Sequence, residues 1–278
     1  MLRSARLLPI LLVLLATACS DDDKPVAADP DTPFPLTKVD VATMSLDLAD
    51  LASAKLVADP GARPAQLCHA ATVLVVSWVN LNVVARLAVP VAALQACLLR
   101  PAVYVGDNTW RWTANGGSGA QAWTAELTAR VLAQGQVVWE MRVSGTAAGL
   151  DRFLWYEGQA DGVARAGTWH YYDPAAAPES REVIRSVWSL PQGGGDRTLV
   201  FENVETGGPA FGDRLTYQVA DSIASLTYVD AQATGEDRTA SARWDLRDGS
   251  GRWLGAGGNT CCWGPRPAYA EADCPPGP

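Results

Sequence analysis

"QVVWEMRVSG", residues 136 to 145, decides the fold. Val137, Trp139, Met141 and Val143 fall on one side of an extended chain, and Gln136, Glu140 and Arg142 on the other. Successive side chains of a strand point to opposite faces, so a period of two describes a sheet with one dry face and one wet face. The same rhythm scatters an apolar set around a helix, whose faces repeat every 3.6 residues.

The pattern extends both ways. Upstream, "AWTAELTARVL" sets Trp123, Ala125, Leu127, Ala129 and Val131 against Glu126 and Arg130. Downstream, the dry face continues through Phe153 and Trp155, Trp169 and Tyr171, Leu215, Tyr217 and Val219, then Ala240, Ala242, Trp244 and Leu246. Arg214, Arg243 and Asp245 take the alternate positions. Trp123, Trp139, Trp155 and Tyr171 stand 16 residues apart, one per strand. Asn115-Gly116, Asp161-Gly162, Gly193-Gly194-Gly195, Gly207-Gly208 and Asp248-Gly249 supply turn chemistry. Asn-Gly and Asp-Gly suit hairpins because both central residues of a type I′ turn need positive φ. Between residues 103 and 256 the spacing predicts about ten or eleven strands in an antiparallel meander, with no helix long enough for a parallel crossover.

The preceding 60 residues read differently. "MSLDLADLASAKLVADPG" carries Leu46, Leu48, Leu51, Leu56 and Val57 among alanines and stops at Asp59-Pro60-Gly61, a helix with its terminator. The stretch 65–99 is predominantly apolar on every side, interrupted in its middle by Asn80, Asn82 and Arg86, with Pro64 at its start and Pro90 as a break or kink. Such a helix is buried in protein or in lipid. The three polar residues interrupt any uniform membrane-length run, so burial in the protein's own core is expected. About eight strands already make a barrel that side chains fill. A wider meander that curls needs an occupant, and this helix is the candidate, inside a barrel or over a half-barrel.

The N-terminus gives an address. Arg3 and Arg6 precede the apolar run Leu7 to Leu15 and the small residues Ala16, Thr17 and Ala18. The run is too short to span a bilayer and has the order of a secretory signal, so residues 1–18 are expected to be removed. Leu15-Ala16-Thr17-Ala18-Cys19 resembles the lipobox of bacterial lipoproteins, with Ala16 departing from the commoner Leu. The resemblance implies that Cys19 is acylated and becomes the first residue. Ser20 after it resembles lipoproteins sorted to the outer membrane, and several acyl chains on one residue suffice for stable anchoring. Asp21, Asp22, Asp23, Asp29 and Asp31 then alternate with Pro25, Pro30, Pro33 and Pro35, which reads as an unfolded tether over residues 19–38. The net charge of −8 becomes −10 once Arg3 and Arg6 are removed, which argues against a nucleic-acid partner and against adhesion to anionic lipid. Residues 39–278 are expected as a single domain, helical over 39–100, a β-meander over 101–258 and a Cys/Pro-rich tail over 259–278. In outline the arrangement resembles the periplasmic lipoprotein carriers and lipoprotein receptors, which join an eleven-stranded half-barrel to covering helices.

Five cysteines remain besides Cys19, and an exported chain keeps disulfides. Cys68 and Cys97 bracket the apolar segment, and a fold-back at Pro90 lets them meet. Cys274 is placed to pair with Cys262 or Cys261, which pins the tail. Zinc held by Cys261, Cys262 and Cys274 with His69 or His170 lacks the usual ligand spacing. No Gly-x-Ser-x-Gly, Gly-x-Gly-x-x-Gly or His-Glu-x-x-His pattern occurs. His69 reads as a core residue. His170 falls on the wet face opposite Trp169 and Tyr171. The expectation is a non-enzymatic, membrane-anchored lipoprotein that acts in the cell envelope through protein partners, with no metal or cofactor. The alternative is a carrier or receptor for an apolar ligand such as an acyl chain, held by Trp123, Trp139, Trp155, Tyr171 and Trp244 on the concave face.

Overall fold

The computed structural model describes residues 33–36, 38–44, 68–70, 72–73, 91–119, 122–145, 149–163, 165–173, 181–191, 196–265 and 274. It is a mainly β protein. Thirteen antiparallel strands follow one another in a single meander whose spatial order is the order of the sequence. Contacts between residues divide the chain into two compact units.

The first unit holds the described residues up to Val41 and those within Leu87–Val163 and Trp169–Glu182. Its strands are β1 (Val103–Gly106), β2 (Thr109–Gly116), β3 (Trp123–Val131), β4 (Gln136–Gly145) and β5 (Leu150–Asp161), with most of β6 (Ala166–Tyr172). The alternation in 136–145 is realised in full: Val137, Trp139, Met141 and Val143 are buried on one face. Across the ladder Val137 meets Val131, Trp139 meets Ala129, Met141 meets Leu127 and Val143 meets Ala125 of β3, so the largest ring faces an alanine. In the β1–β2 turn Asp107 and Asn108 adopt φ of 49° and 53°, values these two residue types tolerate better than most. Asn115-Gly116, expected at a turn centre, instead ends β2. There Gly116 pairs with Trp123, whose indole ring lies in the space a Cβ would take.

One register differs from the alternation read in the sequence. Met141 pairs with Tyr156 but Arg142 pairs with Leu154, so β5 carries an extra residue at this point. A bulge of this kind shifts the inward set by one position. The buried side chains pass from Phe153 to Tyr156, and Trp155 is left half-buried off that face.

The second unit holds the described residues within Ala42–Arg86, Ala164–Thr168 and Val183–Pro278. Its strands are β7 (Glu182–Ser189, all but its first residue), β8 (Arg197–Asn203), β9 (Arg214–Ala220), β10 (Ile223–Val229), β11 (Thr239–Asp245), β12 (Gly251–Leu254) and β13 (Thr260–Trp263). β13 falls where an irregular tail was expected. Its inner row runs Trp188, Leu199, Tyr217, Leu226, Ala242 across five strands in register. The Trp263 indole N–H donates to the Gly249 carbonyl at 2.7 Å, and its ring covers Gly251, where a Cβ would come within 2.5 Å of both that ring and the Arg243 carbonyl.

Residues 68–70 and 72–73 are helical, as are residues 91–98. In the first unit Ala93, Leu94 and Cys97 are buried, while Leu99 just beyond is 85% exposed. Cys97 Sγ lies 3.6 Å from the Ala125 carbonyl, which seats this helix on the inner face of β3. In the second unit Cys68, His69, Thr72 and Val73 are buried. The expected helix over 46–57, the middle of the apolar stretch at 74–90 including Pro90, and the Gly193–Gly195 turn lie outside the described residues. So does Cys19, with the rest of 1–32. Among the described residues no helix is long and apolar enough to cross a membrane.

The tether was expected to be unfolded to residue 38, yet its last residues are packed. Phe34 sits edge-on to Trp110, Trp112 and Trp139, with ring centroids 5.5, 5.3 and 5.6 Å away. Lys38 Nζ donates to the Leu98 carbonyl at 3.2 Å. Pro33 and Pro35 stiffen the strap before it docks, so a single aromatic anchor repays the ordering of a short segment.

Candidate functional site

Two surfaces of the sheet bear on function: the inner face, where a ligand would be enclosed, and the outer face, which carries the polar groups.

Of the five aromatic residues read as ligand-facing, Trp139, Tyr171 and Trp244 are only 2%, 2% and 1% exposed. Trp139 stacks on Trp112 at 5.8 Å, Tyr171 tilts against Tyr156 at 5.9 Å and Trp244 against Tyr217 at 6.3 Å. These rings are filled against one another in the manner of a core. Trp123 is half-buried at the end of β3 over Gly116, and Trp155 is removed from the inner face by the bulge. The indole N–H groups of Trp112, Trp188 and Trp244 have no hydrogen-bond partner among the described residues. An acyl chain carries no acceptor along its length that could satisfy them. A cleft of about 580 Å³ does open beside the β1–β2 turn, between Pro35, Asp107, Asn108, Trp110, Arg130 and Leu132. None of the five aromatic candidates lines it.

The cysteines pair differently from the reading of Cys68 with Cys97. Cys68 bonds Cys261, and of the two candidates for Cys274 it is Cys262 that bonds it. Neighbouring residues of a strand point to opposite faces. Cys261 faces inward in register with Trp253 and reaches the helical residues 68–73, while Cys262 faces outward and holds Cys274. One short strand thus anchors two distant segments. Cys97 stays a free, buried thiol, and burial pushes its pKa up to about 12. A thiol that resists ionisation is a poor nucleophile at neutral pH. Among the described residues no cluster of His, Cys, Asp or Glu has the geometry to hold a metal ion.

His69 is buried with its ring edge-on to Trp263 at 5.1 Å, and burial lowers its pKa to about 4. It is a neutral core residue at physiological pH. His170 has the carboxylate partner that sequence reasoning could not supply: its Nδ1 lies 2.7 Å from Glu182 Oε1. Beside it the Tyr172 hydroxyl donates to Glu157 Oε1 at 2.7 Å. A carboxylate-oriented imidazole is the base half of a catalytic pair, but no described hydroxyl or thiol hydrogen-bonds to its other nitrogen. The outer face of β2–β5 is otherwise laced by Arg111 and Arg152 on Glu126, at 3.5 and 3.1 Å, and by Arg142 on Glu140 at 2.6 Å. These half-exposed ion pairs hold one another rather than converging on an open point.

No protein-family model, curated protein or solved structure matches the chain.

Proposed function

We propose that the chain is a lipid-anchored protein of the bacterial cell envelope, tethered through Cys19, which acts through contact with other envelope components rather than by catalysis. The observation that carries the reading is the filled inner face: Trp139, Tyr171 and Trp244 pack against other rings and are shut off from solvent. A body of this kind offers its partners an outer surface. The carrier alternative requires a hollow where those rings stand. Catalysis through His170 requires a reactive hydroxyl or thiol on its ring, and the described group hydrogen-bonded to the ring is the Glu182 carboxylate.

The address rests on the signal-like residues 1–18 and the lipobox-like run ending at Cys19. The packed strap at Phe34 adds mechanical sense, because a pull on the acylated end is taken up by a three-tryptophan socket. Metabolic labelling with radioactive palmitate in a bacterial host tests the anchor. Wild type should carry label and fractionate with membranes, while Cys19→Ser should do neither; equal labelling of the two would refute the assignment.

A further inference from the structure

Of the five charged cross-strand pairs in the registers seen, three are opposite in sign. Glu126 stands opposite Arg142, and Glu202 stands opposite both Arg185 and Arg214. Where like charges do meet, at Glu140 and Glu157, each carboxylate is occupied, by Arg142 at 2.6 Å and by the Tyr172 hydroxyl at 2.7 Å. The other like-charged pair has no such partner among the described residues. In the second unit Arg243 of β11 stands directly opposite Arg252 of β12.

The two guanidinium groups share the outer face, since Ala242 and Trp244 on either side of Arg243 are buried inward. Among the described residues neither arginine has a carboxylate or hydrogen-bond partner. The row continues into neutral Ser225 and Gln218 on one side and Cys262 on the other. Asp245, two residues along β11, is taken up by Arg247 through contacts of 2.5 to 3.2 Å. Like charges directly opposite on a sheet are destabilising. A chain with a net charge of −8 nevertheless holds two cations side by side on paired strands. A local rule broken without compensation among the described residues is a mark of a functional or strained site.

We propose that Arg243 and Arg252 form a phosphate-binding site, which takes a terminal phosphate group. Two planar guanidinium forks at cross-strand spacing, about 5 Å between their Cβ atoms, can each offer paired N–H donors to a tetrahedral dianion. Ser225 and Gln218 extend the row with neutral hydrogen-bonding groups for whatever bears the phosphate. The strands set the spacing before the ligand arrives, so little ordering remains to be done on binding. A phosphate on a lipid headgroup and one on a soluble molecule share this chemistry.

The test uses the full chain carrying Cys19→Ser, so that no acyl chain contributes. Thermal unfolding is followed in inorganic phosphate and in sodium chloride at matched ionic strength, for this protein and with Arg243→Gln or Arg252→Gln added. Phosphate should raise the midpoint beyond chloride for the parent, and either substitution should weaken that dependence at least tenfold in apparent Kd, as loss of a charge-assisted contact does. Both variants should match or exceed the parent midpoint in low salt without phosphate, since removing one cation relieves the repulsion; this separates lost binding from lost folding. Sedimentation with phosphatidic acid vesicles, against phosphatidylcholine vesicles, then assigns the source. Arginine-dependent sedimentation identifies a lipid headgroup, and a phosphate effect without it identifies a soluble ligand. Equal stabilisation by phosphate and chloride, or an undiminished phosphate effect in both variants, would overturn the proposal.

Discussion

Replacing Cys68 and Cys261 together by serine opens a bond that spans 193 residues, whereas replacing Cys262 and Cys274 opens one that spans 12. A disulfide stabilises largely by shortening the loops open to the unfolded chain, and that gain grows with the logarithm of loop length. The chain-entropy relation gives about 5 kcal/mol for the long loop and about 3 kcal/mol for the short one at 25 °C. With a urea dependence of about 2.5 kcal/mol per molar, the unfolding midpoint of the second unit should fall by about 2 M in the first double variant and about 1 M in the second. Each pair is removed as a whole so that no stray thiol is left to re-pair. Far-ultraviolet circular dichroism in urea reads the midpoints, and non-reducing peptide mapping reads the connectivity. In the map Cys97 should be alkylated only after denaturation, because it is free and buried. Equal midpoint losses would refute the loop-length reasoning, and recovery of Cys68 joined to Cys97 would refute the connectivity itself.

Three further outcomes are expected. Because the pKa of His69 is lowered to about 4 in the folded state, its unfolded form binds a proton first. Its contribution is therefore intact above pH 6.5 and is lost as pH falls towards 4, by up to about 3 kcal/mol, so wild type should lose more urea resistance than His69→Gln over that window. Trp139→Ala should cost about 3–5 kcal/mol and Trp155→Ala clearly less, because only the former empties the core. Equal costs in calorimetry would place both rings on the inner face and abolish the bulge. Phe34→Ala should cost about 1–3 kcal/mol and speed proteolysis ahead of residue 38, and an unchanged cleavage rate would mean that the strap is not held by its aromatic socket.

The strands were legible because each alternating run is a local signal: the residues that set the inner face of β4 lie within ten positions of one another. The bulge was not, since nothing in the composition of "RFLWYEG" marks which residue is the extra one, and a single insertion exchanges the faces of all that follows. For this reason the even spacing of Trp123, Trp139, Trp155 and Tyr171, one per strand, placed Trp155 on the inner face with the others. Cys274 could be matched to the vicinal pair Cys261 and Cys262 because the connecting loop is short, but not to one of the two, since that choice depends on which face each takes in β13. Cys68 and Cys261 could not, because their meeting is a product of the whole topology. The short β13 was hidden within a stretch of proline and glycine, and with it the means by which adjacent cysteines serve opposite faces. Phe34 was in plain view as the one large ring in the Pro-rich tether, but its socket of Trp110, Trp112 and Trp139 exists only once β2 and β4 are folded. His170 could be placed on the wet face, yet its partner Glu182 lies on the next strand, across a connection whose pairing the sequence does not print. The like-charged neighbours Arg243 and Arg252 share this character, because register alone creates them.

The filled inner face is tested most directly by titrating the Cys19→Ser protein with a fluorescent acyl-chain probe whose emission rises in apolar surroundings. The account predicts no saturable increase at stoichiometric protein and no displacement by added fatty acid. Saturable binding of one probe per chain, abolished by Trp139→Ala or Trp244→Ala and reversed by fatty acid, would contradict it and make the protein a carrier.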